Sequence, residues 1–194
     1  MFPLGLVVAG WGVLALVLGL AGVPARLQPP MPQVVIVALT LGSLAACRFA
    51  APVRARVQAL DLRWLVAAHV PRFVGIWFLA HMGPDLAPSW AVPAAVGDLT
   101  VAACTPLLLA NGAPRSETQR RLWLLWNAFG LLDILFVVVT AARTALAAPA
   151  SMQALLRLPL SLLPTFVVPL VFTSHALLFA RLLRRERPGF LPTT

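Results

Sequence analysis

The chain has 194 residues, of which 60% are apolar and 11% charged, with a mean hydropathy of +0.90. A soluble globular domain averages about 45–50% apolar and about 25% charged residues, so these figures exclude one and describe an integral membrane protein. The net charge of +9 does not imply nucleic acid, because the arginines fall mostly in short connections between apolar runs, where basic residues orient membrane spans. The lipid bilayer is the expected partner.

The whole chain, 1–194, reads as one all-α membrane domain of six spans. The first runs from about residue 3 to 23 and closes at a proline-rich connection holding Pro24, Pro29, Pro30 and Pro32, which forbid a continuing helix. It is apolar throughout and lacks the basic n-region of a secretory signal, so it reads as a retained helix. The second covers about 33–49. A basic connection with Arg54 and Arg56 follows, and its VRARVQAL stretch reads as a surface helix. The third span, about 62–82, contains His69, Pro71, Arg72 and His81 and stops at Gly83 and Pro84.

The fourth span covers about 90–110 and carries Asp98. The polar run RSETQRR then leads to the fifth, about 121–147, with Asn127 and Asp133. Ser116 and Gln119 have the spacing of a capping box at its start. The sixth, about 158–183, contains His175 and Pro159, Pro164 and Pro169, and a short basic tail follows. Trp64, Trp90 and Trp123 fall near span ends, as interfacial anchors do. The arginines concentrate on the second and fourth connections and the tail, which places both termini in the cytoplasm. Arginine is the sole strongly basic residue type and tyrosine is absent, a bias typical of a GC-rich coding sequence; the expected location is a bacterial inner membrane. Spans one and two, without ionisable groups in their interiors, complete the wall or pair with another copy in a homo-oligomer.

Ionisable residues inside membrane spans are expensive and mark functional sites. Counted from the ends of their spans, Arg72, Asp98 and Asp133 fall near the midplane, and with Asn127 they form an expected transport site. One guanidinium against two carboxylates leaves room for a proton, so the cluster suits a relay or a cation. His69 lies six residues beyond Arg63 and His175 six before Arg181, each roughly 9 Å inside the same face. Two imidazoles at matched depth on different helices also suit the axial ligands of a haem b, with Arg63, Arg181 or Arg184 near its propionates. A metal site from His81, Asp98 and Asp133 is disfavoured, since His81 is roughly 13 Å along its helix from Arg72.

Cys47 and Cys104 lack the spacing of a zinc or redox pair. No G-x-S-x-G elbow, Walker loop or dinucleotide fingerprint is present, so the chain does not read as an enzyme. The expected function is therefore transport or proton-coupled translocation of a small solute or ion. Haem b redox chemistry at His69 and His175, and a ligand-free structural or assembly role, are the alternatives.

Overall fold

The computed structural model describes residues 4–184. It is 83% helix, with no strand among the described residues. Its helices are α1 (Leu4–Leu20), α2 (Met31–Phe49), α3 (Ala51–Ala59), α4 (Leu62–Ala67), α5 (Gly75–His81), α6 (Pro88–Asn111), α7 (Glu117–Ala147) and α8 (Val168–Leu182). Five stretches are long and apolar enough to cross a membrane: Met31–Phe49, Leu62–His81, Pro88–Asn111, Glu117–Ala147 and Leu163–Leu182.

The first expected span corresponds to α1, whose 17 described residues extend about 26 Å, short of a hydrocarbon core about 30 Å thick. Residue 3, where that span was expected to begin, and the tail beyond Arg184 lie outside the described residues. The surface helix expected after the second span is α3.

The chain is sorted inside out. Leu20, Phe49 and Leu132 are 67–75% exposed, while Arg72 and Asp98 are 2% and 3% exposed and His69, Asn127 and His175 are fully buried. This sorting suits a membrane protein, because lipid accepts apolar surface and a low-dielectric interior accepts charge only when it is paired.

Helix α6 is the centre of the packing. Its buried residues Ala91, Ala94, Ala95, Asp98, Val101, Ala102 and Thr105 recur at three- and four-residue intervals along one face. Between apolar helices no hydrophobic force draws backbones together, so small side chains that permit close contact take that role. The stripe seats α6 against α5 and α7, and Asp98 sits in the middle of it.

Two spans are not regular helices. In the third, Pro71 has no amide hydrogen to give the carbonyl of Ala67. The ladder tightens to three-residue bonds, with Arg72 N–H donating to His69 O at 3.0 Å, and Val70–Val74 is a 3₁₀ turn between α4 and α5. In the sixth, Leu163–Val167 is a π-helical turn in which Val168 N–H reaches back to Leu163 O. Pro169 leaves the carbonyl of Thr165 without its helical donor, and the indole N–H of Trp11 on α1 supplies one at 2.9 Å. Trp11 also meets Phe166 edge to face, with ring centroids 5.2 Å apart. Helix α1 is thus fastened to the irregular part of the sixth span.

The connections form two ends. At the basic end, Arg181 donates to Leu60 O and Arg120 to Leu182 O, tying the connection after α3 and the start of α7 to α8. Asp61 caps α4 by accepting from Arg63 N at 2.8 Å. The Arg63 side chain and then its backbone N–H hold the exposed Asp61 carboxyl below the usual carboxylate range. At the opposite end, Ala87 N donates to Ser151 O and Ala154 N to Asp85 O, closing the third and fifth connections on each other.

Two local expectations are corrected. Ser116 caps α7 through Gln119 N at 3.2 Å, but the Gln119 side chain returns to Arg115 N rather than to Ser116 N. Of the three tryptophans read as interfacial anchors, only Trp64 is exposed. Trp90 and Trp123 are 3% and 2% exposed, and the Trp90 indole donates to Val137 O across the α6–α7 contact.

Candidate functional site

The 3₁₀ turn after Pro71 directs Arg72 into the bundle, where its guanidinium is shared by two helices. Nε donates to Asp98 Oδ1 on α6 at 2.6 Å, Nη1 donates to Gly130 O on α7 at 3.0 Å, and Nη2 donates to Asp133 on α7. The Asp98 and Asp133 side chains are 4% and 9% exposed. Each of the three guanidinium nitrogens therefore donates to an acceptor, which the burial of this charge requires. With all three groups ionised the cluster carries a net charge of −1.

Two glycines make the approach possible. A Cβ at Gly97 would collide with the Asp133 carboxylate, and one at Gly130 would stand 2.8 Å from Cε1 of His175 and 3.3 Å from Nη1 of Arg72. Both are plain helical residues chosen for space rather than for backbone conformation.

Towards the basic end lies a second polar group. Asn127 accepts from His175 Nδ1 at 2.8 Å and donates Nδ2 to the His175 carbonyl at 3.2 Å. His69 Nε2 lies 2.9 Å from Ser174 Oγ, whose hydroxyl donates to Val171 O at 2.8 Å. These bonds assign the protons of the neutral rings to Nδ1 of His175 and Nε2 of His69. The remaining nitrogens, Nε2 of His175 and Nδ1 of His69, are buried lone pairs without a partner. Nε2 of His175 and Nη1 of Arg72 both lie 3.3 Å from the point a Gly130 Cβ would occupy. The two polar groups therefore meet at Gly130.

The expected site residues are thus redistributed. Arg72, Asp98 and Asp133 come together, whereas Asn127 is engaged by His175 and not by the ion cluster. His69 and His175 meet, with ring centroids 4.3 Å apart and planes 60° to each other. That arrangement does not fit a haem between them, since two axial imidazoles at an iron–nitrogen distance near 2 Å need centroids about 6 Å apart. Of the arginines expected near propionates, Arg63 pairs with Asp61, Arg181 is bound to Leu60 O and Arg184 is exposed. His81 is exposed and stacks on Trp77 at 3.9 Å, away from both carboxylates. No group of three or more metal-binding side chains occurs among the described residues.

Sequence reasoning missed Gly130, Gly97 and Ser174. The small-residue stripe on α6 was a readable signal that Asp98 faces the interior. Adjacent helical residues diverge by about 100°, so Ser174 points away from its neighbour His175 and instead meets His69 on another helix.

On the other side of Arg72, a cavity of about 70 Å³ extends from Arg72 and Asp98 to Pro32 and Gln33. Both irregular turns border it, through Val74 in the third span and Leu163, Pro164 and Val167 in the sixth. A second cavity of about 70 Å³ shares Gln33, Ala141 and Leu155 with the first and continues among residues of the first and fifth connections. An outward-facing groove of about 440 Å³ runs along Phe73, Trp77 and Leu160, separated from the central cavity by Val74, Leu163 and Val167.

The chain has no match among the curated proteins or the solved structures. A family model described as a domain of unknown function, DUF8737, matches residues 29–183, which include all five long helices and leave α1 outside. The chain belongs to the DUF8737 family.

Proposed function

We propose that the protein is a six-span bacterial inner-membrane protein, with both termini in the cytoplasm, that couples proton movement to translocation of a small solute or ion. The observation that carries this reading is that Arg72 and Asp98, two members of the Arg72–Asp98–Asp133 cluster, line a cavity bordered by the two irregular turns. A scaffold ion pair needs one carboxylate per guanidinium and no cavity beside it. Here a second carboxylate is buried at a cost that a single shared proton relieves.

In this reading the proton resides between Asp98 and Asp133, and solute in the cavity displaces it. Its next acceptor towards the basic end is Nε2 of His175, the unpartnered lone pair beside Arg72. The 3₁₀ and π turns absorb the change of shape that closes the cavity and opens the opposite side, as interrupted helices do in transporters. The structural alternative accounts for the ion pair and leaves the unpartnered nitrogens and the cavity without a role.

Reconstitution into vesicles tests the proposal. An imposed pH gradient is expected to relax through wild-type protein and not through Asp98→Asn or Asp133→Asn, with both variants extracted as folded, monodisperse protein. Equal leak in all three would support the scaffold role.

A further inference from the structure

We propose that the solute is a small monocation with an apolar body, of the kind of a short-chain primary ammonium ion, and that it reaches Asp98 past Gln33 from the end opposite the basic one. The inference rests on the transport reading and specifies its substrate class and its route.

The charge follows from how Arg72 is used. Each of its three nitrogens donates to a protein acceptor, and of Asp98 it engages only Oδ1. The surplus charge beside the cavity is therefore negative. An anion placed there would face the Asp98 carboxylate and a guanidinium already shared among Asp98, Gly130 O and Asp133, whereas an ammonium group finds a carboxylate that lines the cavity. Displacement of the shared proton by such a cation leaves the charge of the cluster unchanged.

The body follows from the walls. Between Asp98 and Gln33 the cavity is lined by Ile36, Phe78, Trp90, Ile134 and Val137. A metal cation requires several oxygen ligands in place of water, and between Asp98 and Gln33 these walls add none. A primary ammonium requires few acceptors, and its alkyl chain gains from apolar contact and its charge from an aromatic face. A cavity near 150 Å³ admits benzene. One of about 70 Å³ suits a ligand of about half that size, which is three or four heavy atoms.

The route follows from Gln33, whose Oε1 is buried without a partner and whose side chain borders both cavities. It offers an acceptor to an ammonium group at the neck. The outward-facing groove offers none: its border with the central cavity is Val74, Leu163 and Val167, and a charge crossing there would lose every polar contact.

Calorimetric titration of the full-length protein in detergent with propylammonium, and with 1-propanol as the neutral comparator, tests the inference, with proton flux in vesicles measured in parallel. Propylammonium is expected to bind at least tenfold more tightly than propanol, and Ala141→Leu, which narrows the neck without touching Arg72 or either carboxylate, is expected to weaken it at least tenfold. Because Ala141→Leu alters a packed helix face, Ile36→Ala provides a second test by enlarging the cavity, and it is expected to shift preference from propylammonium towards pentylammonium. Equal binding of propanol, or binding indifferent to both substitutions, would overturn the inference. Absence of propylammonium binding in a protein that still conducts protons would overturn it and leave the transport reading standing; absence of both would remove the two together.

Discussion

Arg72 donates Nε–H to Asp98 at 2.6 Å from a helix that Pro71 has interrupted one residue earlier. The interruption and the ion pair are one device. A continuous helix would carry Arg72 on an α-helical register, and the tightened 3₁₀ turn instead aims it between α6 and α7, where Asp98, Gly130 O and Asp133 each accept from one of its nitrogens. The first prediction concerns which member of the cluster the fold needs.

Arg72→Leu leaves two buried carboxylates with no counter-charge and is expected to destabilise the protein by about 3–5 kcal/mol, the usual cost of breaking a buried pair. Asp98→Asn or Asp133→Asn leaves Arg72 with one carboxylate and a neutral acceptor, and is expected to cost much less. Thermal unfolding of the detergent-solubilised variants ranks them, and the ordering reverses if Arg72 is the dispensable partner.

Gly97 and Gly130 separate space from flexibility. Gly97→Ala drives a methyl group into the Asp133 carboxylate, and Gly130→Ala places one 2.8 Å from the His175 ring. Both are expected to lower the unfolding temperature although alanine favours a helix by about 1 kcal/mol. Gly42→Ala, where nothing lies within 4 Å of the new atom, is the control and is expected to be neutral or stabilising.

The neutral imidazole pair makes a prediction about proton release. His175→Phe removes the free Nε2 beside Arg72 and is expected to slow proton movement in vesicles at least tenfold while the Arg72–Asp98 pair persists. Ser174→Ala leaves the Nε2–H of His69 without its acceptor, at a cost of about 1–3 kcal/mol, and is expected to act on stability more than on flux. Similar flux in wild type and His175→Phe would confine the histidines to packing.

Haem offers a check on the geometry of the same pair. With centroids 4.3 Å apart, the two rings are expected to give no bis-imidazole absorption spectrum when haemin is titrated into purified protein. A Soret band lost in both His69→Ala and His175→Ala would mean that the pair opens to admit the macrocycle.

Topology is tested by cysteine labelling in a background free of Cys47 and Cys104. With both termini cytoplasmic, Ser151→Cys in the fifth connection is expected to react with an impermeant maleimide added to intact cells, and Arg56→Cys in the second only after lysis. The opposite pattern would invert the orientation.

Much of this arrangement was legible in the chain. Hydropathy marked the long helices, and proline and arginine positions marked their ends. Counting residues from those ends placed Arg72, Asp98 and Asp133 at one depth and His69 opposite His175. Depth is all that such counting yields, because it carries no rotation about the helix axis. For that reason Asn127 was assigned to the ion cluster although its side chain turns to His175, and Trp90 was read as an anchor although it turns inward to Val137 O. The stripe from Ala91 to Thr105 did carry rotational information for α6. The tertiary partners of Pro71 and Pro169 had no local signal: that the indole of Trp11 would serve the carbonyl freed by Pro169 depends on a helix more than 150 residues away.

The central claim is that the cluster holds a mobile proton that water or solute can reach. Infrared spectroscopy of the purified protein, transferred from water to deuterium oxide, tests it most directly. The transport reading predicts a carbonyl band of a protonated carboxylic acid that is lost in Asp98→Asn or Asp133→Asn and shifts within seconds of exchange. Absence of that band, or a band that exchanges only when the protein unfolds, would contradict the reading and make the three residues a sealed structural bridge.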